Sequence, residues 1–114
     1  MQYLFEYYSK QVEDDVLGLP DSIAARYVIL VDRMSVMGPN LGEHLTKSLS
    51  NGLFEIRLSG REGIGRVFFG LLVGRRIVIL HSFVKKTNKT PASDLELARK
   101  RLKEVKAWPP PTNE

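Results

Sequence analysis

Cations carry most of the chemical capacity of this sequence. Arg57 lies in LFEIRL, Arg66 opens RVFFGLLV, and Lys85, Lys86 and Lys89 follow the apolar run RRIVILHSF in FVKKTNKTP. A guanidinium binds phosphate oxygens through a planar fork of donors. A lysine crowded by other cations loses basicity and can transfer a proton. RNA cleaves itself once its 2′-hydroxyl is aligned with the adjacent phosphate. What a protein must add is a base, an acid and positive charge for the pentacovalent phosphorane. A set of arginines and lysines supplies that charge without a metal or cofactor, provided rigid elements hold it in place.

Other chemistries find less support. His44 and His81 have no HxxxH or HxH spacing and no acids clustered with them, so a metal site is not expected. The chain has no cysteine, hence no disulfide, thiolate ligand or thiol nucleophile. There is no GxSxG elbow. Gly60, Gly63 and Gly65 fall in a turn between two strand-like runs, not between a strand and a helix, so they do not make a phosphate loop. No cofactor is expected. The N-terminal MQYLFEYYSK lacks the basic-then-apolar order of a signal peptide. No apolar run approaches the ~20 residues that span a bilayer. The expected setting is cytoplasmic, with no membrane.

Charge is unevenly distributed. Residues 1–56 hold four Lys/Arg against eight Asp/Glu, a balance of −4, whereas residues 57–106 hold thirteen against four, a balance of +9. A basic half on an otherwise acidic chain fits a polyanionic partner; a solvated basic surface is the plain alternative.

Hydrophobic spacing predicts the elements that would position these groups. QYLFEYY reads as a first strand. SKQVEDDVLGLP follows as a short helix capped by Ser9, with Val12 and Val16 inward and a stop at Gly18 and Pro20. A second helix begins near Pro20 or Asp21. Ile23, Tyr27, Leu30, Val31, Met34 and Met37 form its stripe, with Met34 and Met37 as core filler, and Gly38 and Pro39 end it. GPNLGEHLTKSLSNG reads as a connector with at most one helical turn. In LFEIRL, Leu53, Glu55 and Arg57 share one face and Phe54, Ile56 and Leu58 the other. RVFFGLLV and RRIVILHSF form a hairpin around Gly74, buried on much of both faces.

The last element is a helix in TPASDLELARKRLKEVKAW. Thr90 caps it, with Pro91 at the first helical position, or Ser93 and Glu96 form a capping box. Leu95, Ala98, Leu102 and Val105 make its stripe. The order β-α-α-β-β-β-α defines an α+β domain with a mainly antiparallel four-stranded sheet, a helical hairpin and a C-terminal helix. The domain runs over residues 1–107 and leaves a Pro-rich tail at 108–114, on which Trp108 could anchor the last helix. This order places Arg57 and Arg66 on one concave face with the lysine segment at its rim. Pairing of Arg57 with Glu55 or a helix acid, and capping of the sheet edge by Arg66, are the structural alternatives.

Residues 52–101, GLFEIRLSGREGIGRVFFGLLVGRRIVILHSFVKKTNKTPASDLELARKR, resemble the HigB-like branch of the RelE/ParE toxin superfamily, which includes phage-derived killer proteins. The motifs GLFEIR, GRVFF and LHSFVKKTNKTP occur in order, before a helix containing ARKR. The resemblance extends over roughly residues 1–106. It implies the RelE-like fold and a type II toxin–antitoxin toxin that cleaves mRNA in the ribosomal A site. It also implies a cognate helix-turn-helix antitoxin. On this resemblance Arg57, Arg66 and Lys86 are the expected catalytic cations, and Arg61, Lys85, Lys89 and Arg99 the expected RNA-binding ones.

The sequence departs from its relatives at the general base. RelE has an aromatic residue near the last helix, where this chain reads NKTPASDL. The C-terminal histidines of some HigB and YafQ relatives have no counterpart. His81 is the histidine nearest the site, and simple alternation along its strand turns it toward the core. Other functions compatible with the same fold are ParE-like inhibition of DNA gyrase and an inert phage relic. In each functional case an acidic or amphipathic antitoxin segment would cross the basic face, and both that contact and RNA binding would weaken with salt.

Overall fold

The structure, a computed structural model, describes residues 2–42, 44–85 and 91–108. Its elements run β1 (Leu4–Tyr7), α1 (Lys10–Leu17), α2 (Asp21–Met37), β2 (Thr46–Ser48), β3 (Leu53–Gly60), β4 (Gly63–Leu72), β5 (Arg76–Lys85) and α3 (Ala92–Lys106). One five-stranded sheet has the order β1-β5-β4-β3-β2. Strands β2 to β5 are antiparallel neighbours, and β1 runs parallel to β5. The parallel pair is possible because the α1–α2 hairpin lies between β1 and the rest of the sheet in the chain. The expected α+β fold is therefore present, with five strands where four were expected. The extra one is the three-residue β2, too short and too polar to announce itself by alternation.

The helical hairpin follows its sequence signals closely. Ser9 Oγ accepts a hydrogen bond from the Val12 N–H at 3.1 Å, which satisfies one orphan donor of α1. Val12 and Val16 are buried, as are Ile23, Tyr27, Leu30 and Met34 of α2. Met37 corrects the expectation of core filler, because it is 65% exposed. It comes in the final turn before Gly38, beyond the part of the stripe that reaches the sheet. These helices pack on Ile56, Leu58, Val67, Phe69, Ile77 and Ile79 to form the larger core.

The other face of the sheet carries a smaller core: Leu53, Phe68, Val78 and Leu80 under Ala98, Leu102 and Val105 of α3. Gly70 is the seat of this helix. A Cβ there would collide with Leu102 Cδ1, so a side chain on Gly70 would force Leu102 to shift from its seat. Pro91 precedes the first turn of α3 and Ser93 is its second residue, so the Ser93–Glu96 capping box does not form. The alternative cap, Thr90, lies outside the described residues. The far end is pinned by Trp108, which stacks on Tyr8 at 5.9 Å between ring centroids. Tyr8 in turn donates to Glu104 at 2.5 Å and lies under the Arg101 guanidinium. The β4–β5 connection turns at Gly74 (φ 85°) and Arg75 (φ 58°), where the hairpin was expected. Among the described residues no helix is long and apolar enough to cross a membrane.

Candidate nucleic-acid interface

Strand register brings the cations together. Arg57 of β3 and Arg66 of β4 are directly opposed, and Phe83 of β5 continues their row. The next row reads Lys47, Glu55, Phe68 and His81 across β2 to β5, and the row on the other side reads Ser59, Ile64 and Lys85. Directly paired residues point to the same side of a sheet. All three rows therefore lie on the α3 side, because Phe68 belongs to the core under α3. Helix α3 packs on the Leu53–Gly70–Val78 end, and among the described residues it leaves Arg57 at the other end exposed.

The two arginines differ in environment. Arg66 is 4% exposed, and its Nη1 lies 2.9 Å from Glu55 Oε2, itself on a nearly buried side chain. Glu55 is thus the partner of Arg66, not of Arg57 as one alternative had it. Among the described residues Glu55 Oε1 and Arg66 Nε have no hydrogen-bond partner, so the pair keeps unused bonding capacity. Arg57 is exposed and has no ion pair among the described residues. A buried Arg–Glu pair holds a fixed position, whereas an exposed arginine is available to a ligand.

Lys85 completes the open face. Loss of solvent lowers the pKa of its ammonium, and the positive charges of Arg66, Arg57 and Lys47 lower it further, with Glu55 opposing them. These same four side chains lie within electrostatic reach of Lys85, so the face acts as one field. Lys85 and the side chains that act on it are four cations against one carboxylate.

His81 faces this side because of a β-bulge. Phe68 pairs with His81 but Phe69 pairs with Ile79, so Leu80 is an extra residue in β5. Strict alternation would have turned His81 into the core under α1 and α2. The bulge puts Leu80 and His81 on the same side. The imidazole lies 5.8 Å from the Phe83 ring and 6.4 Å from the Phe68 ring, between centroids. Its Nε2 is 2.5 Å from Asp94 Oδ1 in the first turn of α3. His81 thus does not face the core under α1 and α2 that simple alternation gave it, but lies partly buried on the α3 side with Asp94 as its partner. Sequence reasoning also missed Asp94, because nothing in the spacing of residues 81 and 94 announces a bulge between them and a helix end above.

The remaining site candidates are dispersed. Arg61 occupies the two-residue β3–β4 turn, where its backbone N–H donates to Ser22 Oγ of α2. Arg99 Nη2 donates to the Leu49 carbonyl at 2.9 Å, which ties α3 to the β2–β3 connection. Lys86 and Lys89 lie outside the described residues. Among the described residues no three His, Cys, Asp or Glu side chains are grouped for a metal ion.

A sheet flanked by a helical hairpin on one side and a single helix on the other is the fold of RelE. An arginine-to-alanine double mutant of the Escherichia coli toxin RelE in the free state superposes with a TM-score of 0.65 at 11% identity, over 90% of this chain and 99% of that one. The archaeal RelE of the RelE–RelB complex from Pyrococcus horikoshii OT3 gives 0.54 at 22% identity, over 75% and 98%. No curated protein sequence matches this chain. Residues 14–103 match the family described as Phage derived protein Gp49-like (DUF891), and the chain belongs to that family.

Proposed function

We propose that this protein is a HigB-like toxin of a type II toxin–antitoxin system, and that it cleaves mRNA in the ribosomal A site. The carrying observation is the direct opposition of Arg57 and Arg66 on neighbouring strands, with Lys85 on the same open face. That arrangement suits a ribose-phosphate chain. The Arg57 guanidinium would bind the non-bridging phosphate oxygens as charge accumulates on them. Arg66, held by Glu55, would add a fixed positive charge from below. Lys85, whose ammonium gives up its proton more readily than usual, is suited to protonate a leaving oxygen. Lys86 is a further candidate catalytic cation, and Lys89, Arg61 and Arg99 are candidate RNA contacts, of which Arg61 and Arg99 lie apart from the opposed arginines. Family membership and the RelE fold support the reading. The Pyrococcus RelE was captured with RelB, which supports an antitoxin partner here, and we take that partner to be a helix-turn-helix protein.

The test is induced expression in bacteria followed by primer-extension mapping of cellular mRNA. Wild-type protein is expected to arrest growth and leave cuts in register with codons. Arg57→Ala is expected to abolish both while remaining folded, because Arg57 is exposed. Arrest without cuts, accompanied by a DNA-damage response, would replace this reading with gyrase inhibition. Arg66→Ala is a poorer probe, because it strands Glu55 in the interior.

A further inference from the structure

We propose that His81 and Asp94 form a proton-transfer pair on the open face, in which His81 accepts the proton of the RNA 2′-hydroxyl and Asp94 positions the ring. This rests on the ribonuclease reading above and supplies the base that reading lacks.

The geometry carries the assignment. A carboxylate accepts hydrogen bonds and cannot donate one, so the contact between Asp94 Oδ1 and His81 Nε2 places a proton on Nε2. In the neutral ring Nδ1 then holds a lone pair. Asp94 lies in the first turn of α3, near the positive end of the helix dipole. Stacking against Phe68 and Phe83 fixes the plane of the imidazole, and Asp94 fixes its rotation. A fifth of the side chain (19%) stays accessible, enough for contact with a polymer laid along the face.

The neighbourhood agrees. Phe83 is the cross-strand partner of Arg66, so the ring lies one row from the opposed arginines. The charged groups that register and contact place on its side are Asp94 and Arg101 of α3, Arg66 of β4, Glu55 and Arg57 of β3, Lys47 of β2, and Lys85 at the end of its own strand. Arg101 is engaged with the Leu80 carbonyl at 2.7 Å. Glu55, the other acid of the face, is buried against Arg66 and is poorly placed to meet a 2′-hydroxyl.

The step balances without an external reactant. Nδ1 takes the proton of the 2′-hydroxyl as the 2′-oxygen bonds to the adjacent phosphorus. The bond from phosphorus to the 5′-oxygen breaks, and that oxygen takes a proton from the Lys85 ammonium. The products are a 2′,3′-cyclic phosphate and a 5′-hydroxyl end. Imidazolium and amine then return to their starting states by exchange with water.

The experiment is single-turnover cleavage of ribosome-bound mRNA by the full chain between about pH 5.5 and about 8.5, across the imidazole range. Wild type is expected to speed up as pH rises through that range. His81→Asn is expected to be slower by roughly 10²–10⁴-fold and to lose this dependence. Asp94→Asn should lose less rate but shift the inflection, which a purely structural contact would not do. Nitrogen NMR of the folded wild-type imidazole provides a check independent of variant folding: Nδ1 should be unprotonated at neutral pH. Wild-type cleavage with an unchanged rate and profile in His81→Asn, or a proton on Nδ1, would overturn the assignment alone. Absence of cleavage by wild type would overturn the ribonuclease reading and this assignment with it.

Discussion

The two ends of the α3-side sheet face are built on opposite terms. At one end Leu53, Val78, Leu80 and the side-chain-free Gly70 make an apolar seat that Leu102 and Val105 fill. At the other, four to seven residues further along the same strands, Arg57 is exposed and Lys85 half-buried, with Arg66 buried between the two ends. The same strand geometry serves packing at one end and, on the proposed function, ligand binding at the other. The contrast places stability and function in separable residues. It also shows where they meet, in the buried Glu55–Arg66 pair at the boundary.

That boundary should give the largest effect. Glu55→Ala leaves Arg66 charged and unpaired in the interior, and the expected cost is about 3–5 kcal/mol by urea unfolding. Replacing both residues by methionine should restore most of the lost stability while abolishing mRNA cleavage, which would separate the two roles within one pair. A smaller loss is expected at the apolar end. Leu102→Ala should cost about 2–5 kcal/mol, toward the lower part of that range if α3 settles onto Gly70. Activity per folded molecule should survive, which a cleavage assay normalised to folded protein would check.

At the open end the pattern reverses. Arg57→Ala should change stability by no more than about 0.5 kcal/mol, as exposed sites do, yet relieve growth arrest. A large loss of stability there would erase the distinction between the two ends.

The smallest effect concerns Lys85. Its pKa is lowered in the fold, so the unfolded chain holds the proton more tightly and the charged lysine disfavours folding. This penalty is fully present below the folded pKa and is relieved as pH rises through it toward the unfolded value. Lys85→Met should therefore stabilise slightly at neutral pH, with the gain fading in alkali. Thermal melts across pH would detect it, and a gain that grew with pH would contradict the field described for this face.

Much of this protein was determined by its sequence alone. The Ser9 cap, the stripes of α2 and α3, the alternation in LFEIRL and the turn at Gly74 all follow from interactions within a few residues, where helical and strand periods govern which side chains share a face. That reasoning also placed Arg57 and Arg66 on one side, because alternation and hairpin pairing constrain register. The tertiary structure decided the rest. β2 pairs with β3 despite a polar sequence, because pairing satisfies its backbone whatever its side chains are. Met37 is exposed because the helix outruns the sheet beneath it. Glu55 was drawn to Arg66 and not to Arg57, since burial leaves a charge little choice but its nearest opposite. The bulge at Leu80 reversed the facing of His81 and delivered it to Asp94. One extra residue in a ladder changes every side downstream, and only the partner strand reveals where it falls.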